Sequence, residues 1–350
     1  MRLLHFLLLF CITTIQAQTI TGYVYNTVDG LPLEAASVYL DGTTFSTATN
    51  AEGFFSLTTP QKYTASLVVK YIGYETYRVD EPYKTGKPLK IELVPNTVNL
   101  DEVVVTPGPK AFSRKQMLKA FREQFLGMSE AGKSCKILNE DDIRLYYDVA
   151  AKTLVASADK PLVIRNKRLE YDVTYDLMAF EVQYRVKSLE RIFIKGSVFA
   201  GTTLFRDKSK NNSANKKRRE TYNGSVPHFM KTIANNSWEK SKFRLFLGSF
   251  TIAPANALVI TNTLGQKKVM LTKSAMEKLD AEPELPNGQP RYRLNLLDSQ
   301  QRNSFFYFNR EEFYIDANGM FSPIDAVLFG GHMGNLKAGD MLPADYTYQD

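Results

Sequence analysis

The sequence predicts a mainly β protein with a few helices, in which an N-terminal, seven-stranded antiparallel β-sandwich precedes a second, antiparallel-sheet α+β domain. Three observations carry this prediction. Apolar and polar residues alternate in short runs from Thr19 onward, which is the two-residue period of a half-buried strand. Seven such runs follow at a spacing of roughly ten residues, separated by Gly, Pro, Asp and Asn. The same period returns after Asp142, beyond a stretch of helical periodicity.

The seven runs make up the sandwich. In the first run Ile20, Gly22 and Val24 fall on one face, and the residues between them fall on the other. Asp41-Gly42 forms a tight turn of the hairpin kind, because glycine adopts a positive φ without steric cost. The predicted strands span residues 20–25, 36–40, 45–49, 54–58, 63–71, 75–79 and 87–94.

The identity of the residues in these strands goes beyond their period. In residues 18–98 the patterns Ile-x-Gly-x-Val and Ala-x-Val-x-Leu-x-Gly-Thr, with a later Gly-Tyr pair, resemble the carboxypeptidase-regulatory-like domain, which has a transthyretin-like fold. The resemblance implies an accessory domain rather than the catalytic part of a peptidase. The same domain also stands at the front of TonB-dependent outer-membrane receptors. The matching residues are Ile20, Gly22, Val24, Pro32, Ala36, Val38, Leu40, Gly42, Thr43, Thr47, Thr49, Gly53, Phe54, Leu57, Gly73 and Tyr74.

A linker is predicted for residues 99–110, because a glycine between Pro107 and Pro109 stops both strand and helix. The linker contains LDEVVVT at residues 100–106, and a segment of this kind commonly follows the domain in TonB-dependent receptors. Two interpretations stay open. The segment adds a strand to a periplasmic, energy-coupling partner, or it is an exit strand on the sandwich edge. We favour the exit strand, because the residues after Pro107 are too few for a receptor barrel of about 22 strands with its plug.

Residues 1–17 have the pattern of a secretory signal peptide. Arg2 provides a basic start, an apolar core follows, and the small residue Ala17 precedes the expected cleavage. Lipoprotein cleavage before Cys11 is disfavoured, because the bulky Phe10 stands where a small residue is needed. We therefore expect an exported protein in the periplasm or at the outer membrane. No other run reaches the roughly 18 apolar residues of a transmembrane helix.

Composition limits the kinds of partner. A net charge of +7 in 350 residues is a mild excess that does not argue for nucleic acid. Cys135 is the single cysteine outside the signal, so an internal disulfide cannot form and burial has to supply the stability. With 44% hydrophobic residues, the chain can build two ordinary cores.

A helix opens the second domain, which is predicted for residues 111–350. Ser113 and Gln116 form its capping box. Its apolar stripe consists of Leu118, Phe121 and Phe125. Antiparallel strands are then predicted at residues 143–148, 153–158, 162–165, 171–186 and 192–205, and later at 242–250, 257–263, 268–272, 292–297, 304–308 and 312–316. The long run at 171–186 is either two strands or one bent strand.

A second helix is predicted to begin at Ser225, its N-cap, with Pro227 in the first turn, where a missing N–H is harmless. Its buried face consists of Phe229, Met230 and Ile233. Before it, residues 207–220 form a basic run, DKSKNNSANKKRRE. This run is either an electrostatic contact patch or a solvated loop that leads into a helix, and we favour the loop.

Several blocks between Phe112 and Tyr346 resemble those of exported envelope proteins that pair the same front domain with a back half of unknown role. The blocks are FREQFLGMSEAGKSCKILN, LVASADKPLVIRNKRLEYDVTYDL, YNGSVPHFMKTIANN and FGGHMG with AGDMLPADY. This resemblance implies no active site.

No catalytic, cofactor-binding or metal-binding residue is predicted, and no cofactor is expected. The histidines outside the signal, His228 and His332, are far apart in sequence, and neither has a carboxylate at the spacing of a zinc site. No nucleophile elbow GxSxG occurs, and Ser225 is interpreted as a helix cap. Cys135 has no local signature that pairs it with a histidine.

Further patterns are interpreted as structural. Residues 329–334, FGGHMG, are glycine-rich, but we expect them not to follow a strand and open a helix as a phosphate loop does. Asp141-Asp142 and Glu311-Glu312 are sequence neighbours with side chains on opposite faces, so neither pair can flank one glycosidic bond. The 22 Phe and 19 Tyr are interpreted mainly as packing residues.

These observations predict a non-catalytic protein of a Gram-negative cell envelope. Its expected role is binding or assembly, with the sandwich and linker docking onto envelope or outer-membrane proteins. The alternative is an accessory module of TonB-dependent nutrient uptake that binds glycan or peptide. An enzyme of a class without these signatures is the third hypothesis.

Overall fold

The computed structural model describes residues 17–96, 111–263, 265–279, 281–282 and 291–347. Their main elements are strands in five mostly antiparallel sheets, and their buried apolar residues gather in three clusters. The mainly β prediction is confirmed. The predicted linker with its LDEVVVT segment, and the predicted signal peptide apart from Ala17, lie outside the described residues.

The N-terminal sandwich consists of two sheets that share one apolar cluster. Sheet I has the strand order β4-β1-β7, and sheet II has the order β3-β2-β5-β6. All seven predicted strands are present, but β7 runs parallel to β1, which departs from the antiparallel prediction. The strands are β1 (Gln18–Asn26), β2 (Ser37–Leu40), β3 (Ser46–Ala48), β4 (Phe54–Thr59), β5 (Leu67–Lys70), β6 (Tyr77–Val79) and β7 (Leu89–Leu93).

The helix predicted after the linker is α1 (Arg114–Phe125), and its capping box at Ser113 is present. Phe121 and Phe125 are buried as predicted, whereas Leu118 is only partly buried. The stripe is completed by Met117 and Ala120. A short helix that the sequence analysis did not predict, α2 (Glu130–Ser134), follows.

Sheet III packs against α1 around the second apolar cluster. Its strands are antiparallel as predicted, but the meander expected for them is not formed, because β10 and β11 both pair with β12 rather than with each other. On its other side β12 pairs with β13 along its length. A bulge at Met178 interrupts this pairing, so the run from residue 171 is one long bent strand. The strands of sheet III are β8 (Cys135–Ile137), β9 (Ile143–Asp148), β10 (Thr153–Ala158), β11 (Leu162–Asn166), β12 (Tyr171–Tyr184) and β13 (Ile194–Asp207).

The basic run at residues 207–220 begins as a loop and leads into α3 (Asn215–Tyr222), as predicted. The predicted second helix is α4 (Val226–Asn235), with Ser225 as its N-cap. The remaining short helices are α5 (Trp238–Ser241), α6 (Pro254–Ala257), α7 (Lys273–Lys278) and α8 (Gly331–Asn335).

Two further sheets pack with α4 around the third apolar cluster. Sheet IV has the order β15-β14-β19-β20-β23 with β18 beside β19, and sheet V has the order β16-β17-β21-β22. The strand predicted at 242–250 is two strands, because Gly248 turns the chain with a φ of 58°. The strands are β14 (Arg244–Leu247), β15 (Phe250–Ile252), β16 (Leu258–Thr263), β17 (Gln266–Leu271), β18 (Ala281–Glu282), β19 (Arg291–Leu297), β20 (Asn303–Phe308), β21 (Glu312–Ile315), β22 (Phe321–Ser322) and β23 (Val327–Gly330).

The region after the linker thus builds two separate cores, one at sheet III and one between sheets IV and V. The treatment of residues 111–350 as one domain stays a prediction. We refer to this region as the back half.

Candidate functional site

The outer face of sheet II attaches the sandwich to the back half. Tyr39 and Val68 belong to strands of the sandwich but not to its core, yet they are only 3% and 0% exposed. The Tyr39 hydroxyl forms a hydrogen bond of 3.0 Å with the hydroxyl of Thr202 on β13. Burial raises the pKa of Tyr39 to about 12. We call Tyr39, Val68 and Lys70 the closed face of the sandwich.

Polar contacts extend the closed face along sheet III. Lys70 Nζ lies 2.7 Å from the Asp176 carboxylate. The carboxylate of Asp41 accepts a hydrogen bond of 2.7 Å from the Thr203 N–H, and burial raises the pKa of Asp41. The Gly42 N–H donates to the Thr203 carbonyl at 2.8 Å. The predicted Asp41-Gly42 turn therefore joins the edge of β13 through its main chain.

The loop after β4 makes a second contact, with the turn that ends β21. The Thr64 N–H donates to the Asp316 carboxylate at 2.9 Å. Gln61 Nε2 donates to Asn318 Oδ1 at 2.6 Å, and Gln266 Nε2 on β17 lies 2.9 Å from Thr64 Oγ1. The sandwich is therefore held by both parts of the back half.

The outer face of sheet I carries a cluster of aromatic rings, in which Tyr23 is exposed and Tyr25 and Phe54 are half-buried. The ring of Tyr23, which is 37% exposed, lies 5.2 Å from that of Phe54 and 6.3 Å from that of Tyr25. On the neighbouring strand β7, Lys90 and Glu92 form an ion pair at the surface. We call Tyr23, Tyr25 and Phe54 the open face of the sandwich. The predicted alternation in β1 is confirmed, because Ile20 and Val24 point into the core.

A cavity of about 470 Å³ lies where the sandwich, sheet III, α3 and the C-terminal residues meet. Helix α3 contributes three cations to its walls, Lys216, Arg218 and Arg219. Asp207 at the end of β13 and Asp345 near the C-terminus contribute carboxylates. Further polar groups come from Thr44, Asn212 and Asn215. We call this space the junction cavity.

Arg218 is a structural member of the cavity wall. Its guanidinium makes two hydrogen bonds of 2.7 Å to the Asp207 carboxylate and another of 2.8 Å to the Leu169 carbonyl. It also stacks over the Tyr171 ring at 3.8 Å. The bidentate contact with Arg218 lowers the pKa of Asp207 to about 2. Arg218 and Asp207 therefore neutralise each other and fix α3 to the end of sheet III.

The C-terminal residues are held against the opposite wall. The Thr44 N–H donates to the Asp345 carboxylate at 2.9 Å, and the Thr44 hydroxyl donates to the other carboxylate oxygen. Lys231 Nζ on α4 donates to the Tyr346 carbonyl at 3.0 Å and lies 3.4 Å from that of Ala344. Hydrogen bonds therefore hold the residues of both cavity walls in place.

His228 occupies a structural position. The Gly224 N–H donates to its Nδ1 at 3.1 Å, and its ring lies between Tyr222 and Phe243, with centroids 4.8 and 4.9 Å away. Burial lowers the pKa of His228 to about 4, so the imidazole is neutral at pH 7. A Cβ on Gly224 would lie 2.1 Å from the Asp298 carboxylate, so no larger residue fits there.

The fold brings the two distant histidines near one buried carboxylate. Asp298 is 3% exposed and forms a 2.6 Å ion pair with Arg302. Burial lowers the pKa of both His228 and His332, and the charge of Asp298 opposes this effect on each. Neither histidine lines the junction cavity. In the described part of the chain, no group of three or more His, Cys, Asp or Glu side chains could hold a metal ion.

The environment of Cys135 does not favour a reactive thiol. Burial raises the pKa of the Cys135 thiol to about 12, which disfavours the reactive thiolate.

The expectation for residues 329–334 was wrong, because β23 leads directly into α8. Gly330 ends β23 at a point where a Cβ would lie 2.0 Å from the Phe305 ring, so the glycine there is required by packing. The resulting helix has only five residues.

The carboxylate pairs lie where the sequence placed them. Asp141 and Asp142 are in a single helical turn before β9, and Glu312 opens β21, where it pairs with Lys268 at 3.0 Å. Over the residues that the structure covers, no helix is long and apolar enough to cross a membrane.

Comparison with known families supports the resemblance described for the N-terminal region. Residues 20–105 match the CarboxypepD_reg-like domain. A search of curated proteins gave no match to the chain. The CarboxypepD_reg-like domain is the part whose residues carried the resemblance in the sequence, and its described residues form the sandwich of sheets I and II. Its closed face and its open face are therefore two faces of one domain.

Sequence reasoning missed the closed face and the junction cavity. Tyr39 and Val68 lie in ordinary alternating strands, and the partner of the Tyr39 hydroxyl, Thr202 on β13, comes more than a hundred residues later. The cavity had one sequence signal, the basic run at 207–220. That run is a loop leading into a helix, as favoured, and it also supplies the cations of the cavity wall.

Proposed function

We propose that the chain is a non-catalytic binding or assembly protein of the cell envelope. It docks onto envelope or outer-membrane proteins through its sandwich and the linker at residues 99–110. The observation that supports this proposal is the contrast between the two faces of the sandwich. The closed face holds the domain on the back half, while the open face presents Tyr23, Tyr25 and Phe54. Aromatic residues are enriched where proteins bind each other.

The location in the envelope rests on sequence features. The pattern of residues 1–17 is that of an export signal. Residues 20–105 match the CarboxypepD_reg-like domain, and their sequence resembles a domain that also stands at the front of outer-membrane receptors. The composition of the LDEVVVT segment, with its run of valines, is suited to strand addition on a partner sheet. Because the linker follows the sandwich directly in the sequence, we propose that both dock onto the same partner.

Site-specific photo-cross-linking in native envelopes tests the proposal. A cross-linker in place of Ser56, which is exposed on β4 beside the open face, should capture one membrane protein. The matched control is a cross-linker in place of Lys119, which is 78% exposed on α1. The double variant Tyr23→Ser/Phe54→Ser should lose the captured protein while remaining folded, as shown by a cooperative unfolding transition. Capture that is equal at both positions, or that survives the double variant, contradicts the proposal.

The alternative function, binding of glycan or peptide for nutrient uptake, is favoured by one specific observation. The neighbouring rings of Tyr23, Tyr25 and Phe54 form a surface on which sugar rings or peptide side chains can stack. If only soluble oligosaccharide or peptide co-purifies from the envelope, and the double variant releases it, the alternative replaces the docking proposal.

A further inference from the structure

The basic run carries more positive charge than its own carboxylates can neutralise. It contains six Lys or Arg residues and two carboxylates. Both carboxylates are already paired, Asp207 with Arg218 and Glu220 with Arg168. No ion pair to a described residue involves the remaining cations of the run. Two of these, Lys216 and Arg219, line the junction cavity.

The start of α3 adds to this imbalance. Its N-cap position is Ala214, no side chain caps the helix, and no acidic residue lies in its first turn. The positive end of a helix dipole favours negative groups, yet here the first turn carries Lys216 and Lys217. A local rule that is broken without compensation points to a functional site. An anion in the junction cavity would supply the missing negative charge.

The opposite wall offers groups of another kind. Asp345 is the only carboxylate of the described cavity lining that is not paired with an arginine, and its known partner is Thr44. A carboxylate can accept several hydrogen bonds, so Asp345 retains capacity for hydroxyl donors. The amides of Asn212 and Asn215 also line the space. A polar wall of this composition suits a hydroxyl-bearing ligand better than an apolar one.

We infer that the junction cavity binds a sugar phosphate. The phosphate lies at Lys216 and Arg219, and the sugar hydroxyls face Asp345 and the asparagine amides. A volume of about 470 Å³ is in the usual range for small-molecule sites. Lysine and arginine are the common phosphate ligands. This inference is independent of the docking proposal, because the cavity does not include the open face.

The test is isothermal titration calorimetry of the full chain with glucose 1-phosphate. The wild-type chain should bind it saturably and should not bind glucose. The variant Lys216→Gln/Arg219→Gln should bind at least about tenfold more weakly, since each side chain contributes a charged hydrogen bond. Both side chains are exposed at the cavity mouth, so we expect the variant to keep the wild-type circular dichroism spectrum.

The matched control is Lys208→Gln/Lys210→Gln. It removes the same charge from the same run, but neither residue lines the cavity. Its affinity should change by less than about twofold. An equal loss in both variants would mean that the run attracts anions only by its net charge, and would overturn the site. Failure of the wild-type chain to bind glucose 1-phosphate, or binding of inorganic phosphate with the same affinity, would overturn it as well.

The sugar phosphate has two sources, a free metabolite or the headgroup of a lipid. Vesicles of phosphatidylcholine with and without monophosphoryl lipid A separate them. Binding to the lipid A vesicles that is lost in Lys216→Gln/Arg219→Gln assigns the site to a membrane headgroup. Binding of soluble glucose 1-phosphate without binding to these vesicles assigns it to a free ligand.

Discussion

The closed and open faces of the sandwich carry the same residue types in different surroundings. Tyr39 on the closed face is 3% exposed and hydrogen-bonded to Thr202, whereas Tyr23 on the open face is 37% exposed. Both are strand residues that point away from the sandwich core. The comparison teaches that the two-residue period tells which residues leave the core but not whether solvent or another sheet receives them.

The charged residues repeat this contrast. The side chains of Lys70 and Asp176 are 22% and 21% exposed, and they join two different parts of the fold. Those of Lys90 and Glu92 are 70% and 50% exposed and belong to one strand. The closed face, which is covered by the back half, therefore contributes to the stability of the fold. The open face, which the back half does not cover, is available to another molecule.

The largest effect is expected from removing the aromatic ring of the closed face. Tyr39→Ala should lower the free energy of unfolding by about 3–5 kcal/mol, the usual cost of truncating a buried aromatic side chain. It also removes the partner of the Thr202 hydroxyl. Urea unfolding at pH 7 measures the change.

Tyr23→Ala is the matched control for this prediction. Because Tyr23 is 37% exposed but contacts the rings of Tyr25 and Phe54, the substitution should lower the free energy of unfolding by about 1–2 kcal/mol, clearly less than Tyr39→Ala. Equal costs for the two alanine variants would show that the sandwich does not rely on the back half for cover, and the distinction between the faces would fail.

Local features of the fold could be predicted from the sequence because they depend on neighbouring residues. The seven sandwich strands, the capping box at Ser113 and the cap at Ser225 are of this kind. The parallel pairing of β1 with β7 and the cover of Tyr39 depend on residues far along the chain. For the same reason the basic run could be recognised in the sequence, but the cavity could not, because its opposite wall comes from distant residues such as Asp345.

A second prediction uses the ionisation of Tyr39. Its folded-state pKa is raised to about 12, so folding favours the neutral phenol. The resulting stability is fully present below about pH 10, the ordinary pKa, and is lost as the pH rises from about 10 to about 12. The wild-type chain should therefore lose roughly 1 kcal/mol more stability than Tyr39→Phe between about pH 9 and about pH 11.

Urea unfolding of both chains at about pH 9 and about pH 11 measures this difference. Burial also raises the pKa of Tyr171 and Tyr175, but both residues are present in the two chains, so their contributions cancel. If the wild-type chain and Tyr39→Phe lose stability in parallel, the Tyr39 hydroxyl is not desolvated and the closed face is not closed in solution.

The smallest effect is expected from the ion pairs, and it compares the two faces most directly. A double-mutant cycle with Lys70→Met and Asp176→Asn should give a coupling of roughly 0.5–1 kcal/mol, because both side chains are largely buried and lie 2.7 Å apart. The same cycle with Lys90→Met and Glu92→Gln should give no measurable coupling. Added salt should leave the first coupling largely unchanged, since buried pairs are screened less than exposed ones. A coupling at Lys70 that disappears in salt would mean that solvent reaches the closed face, and this would contradict the contrast on which the docking proposal rests.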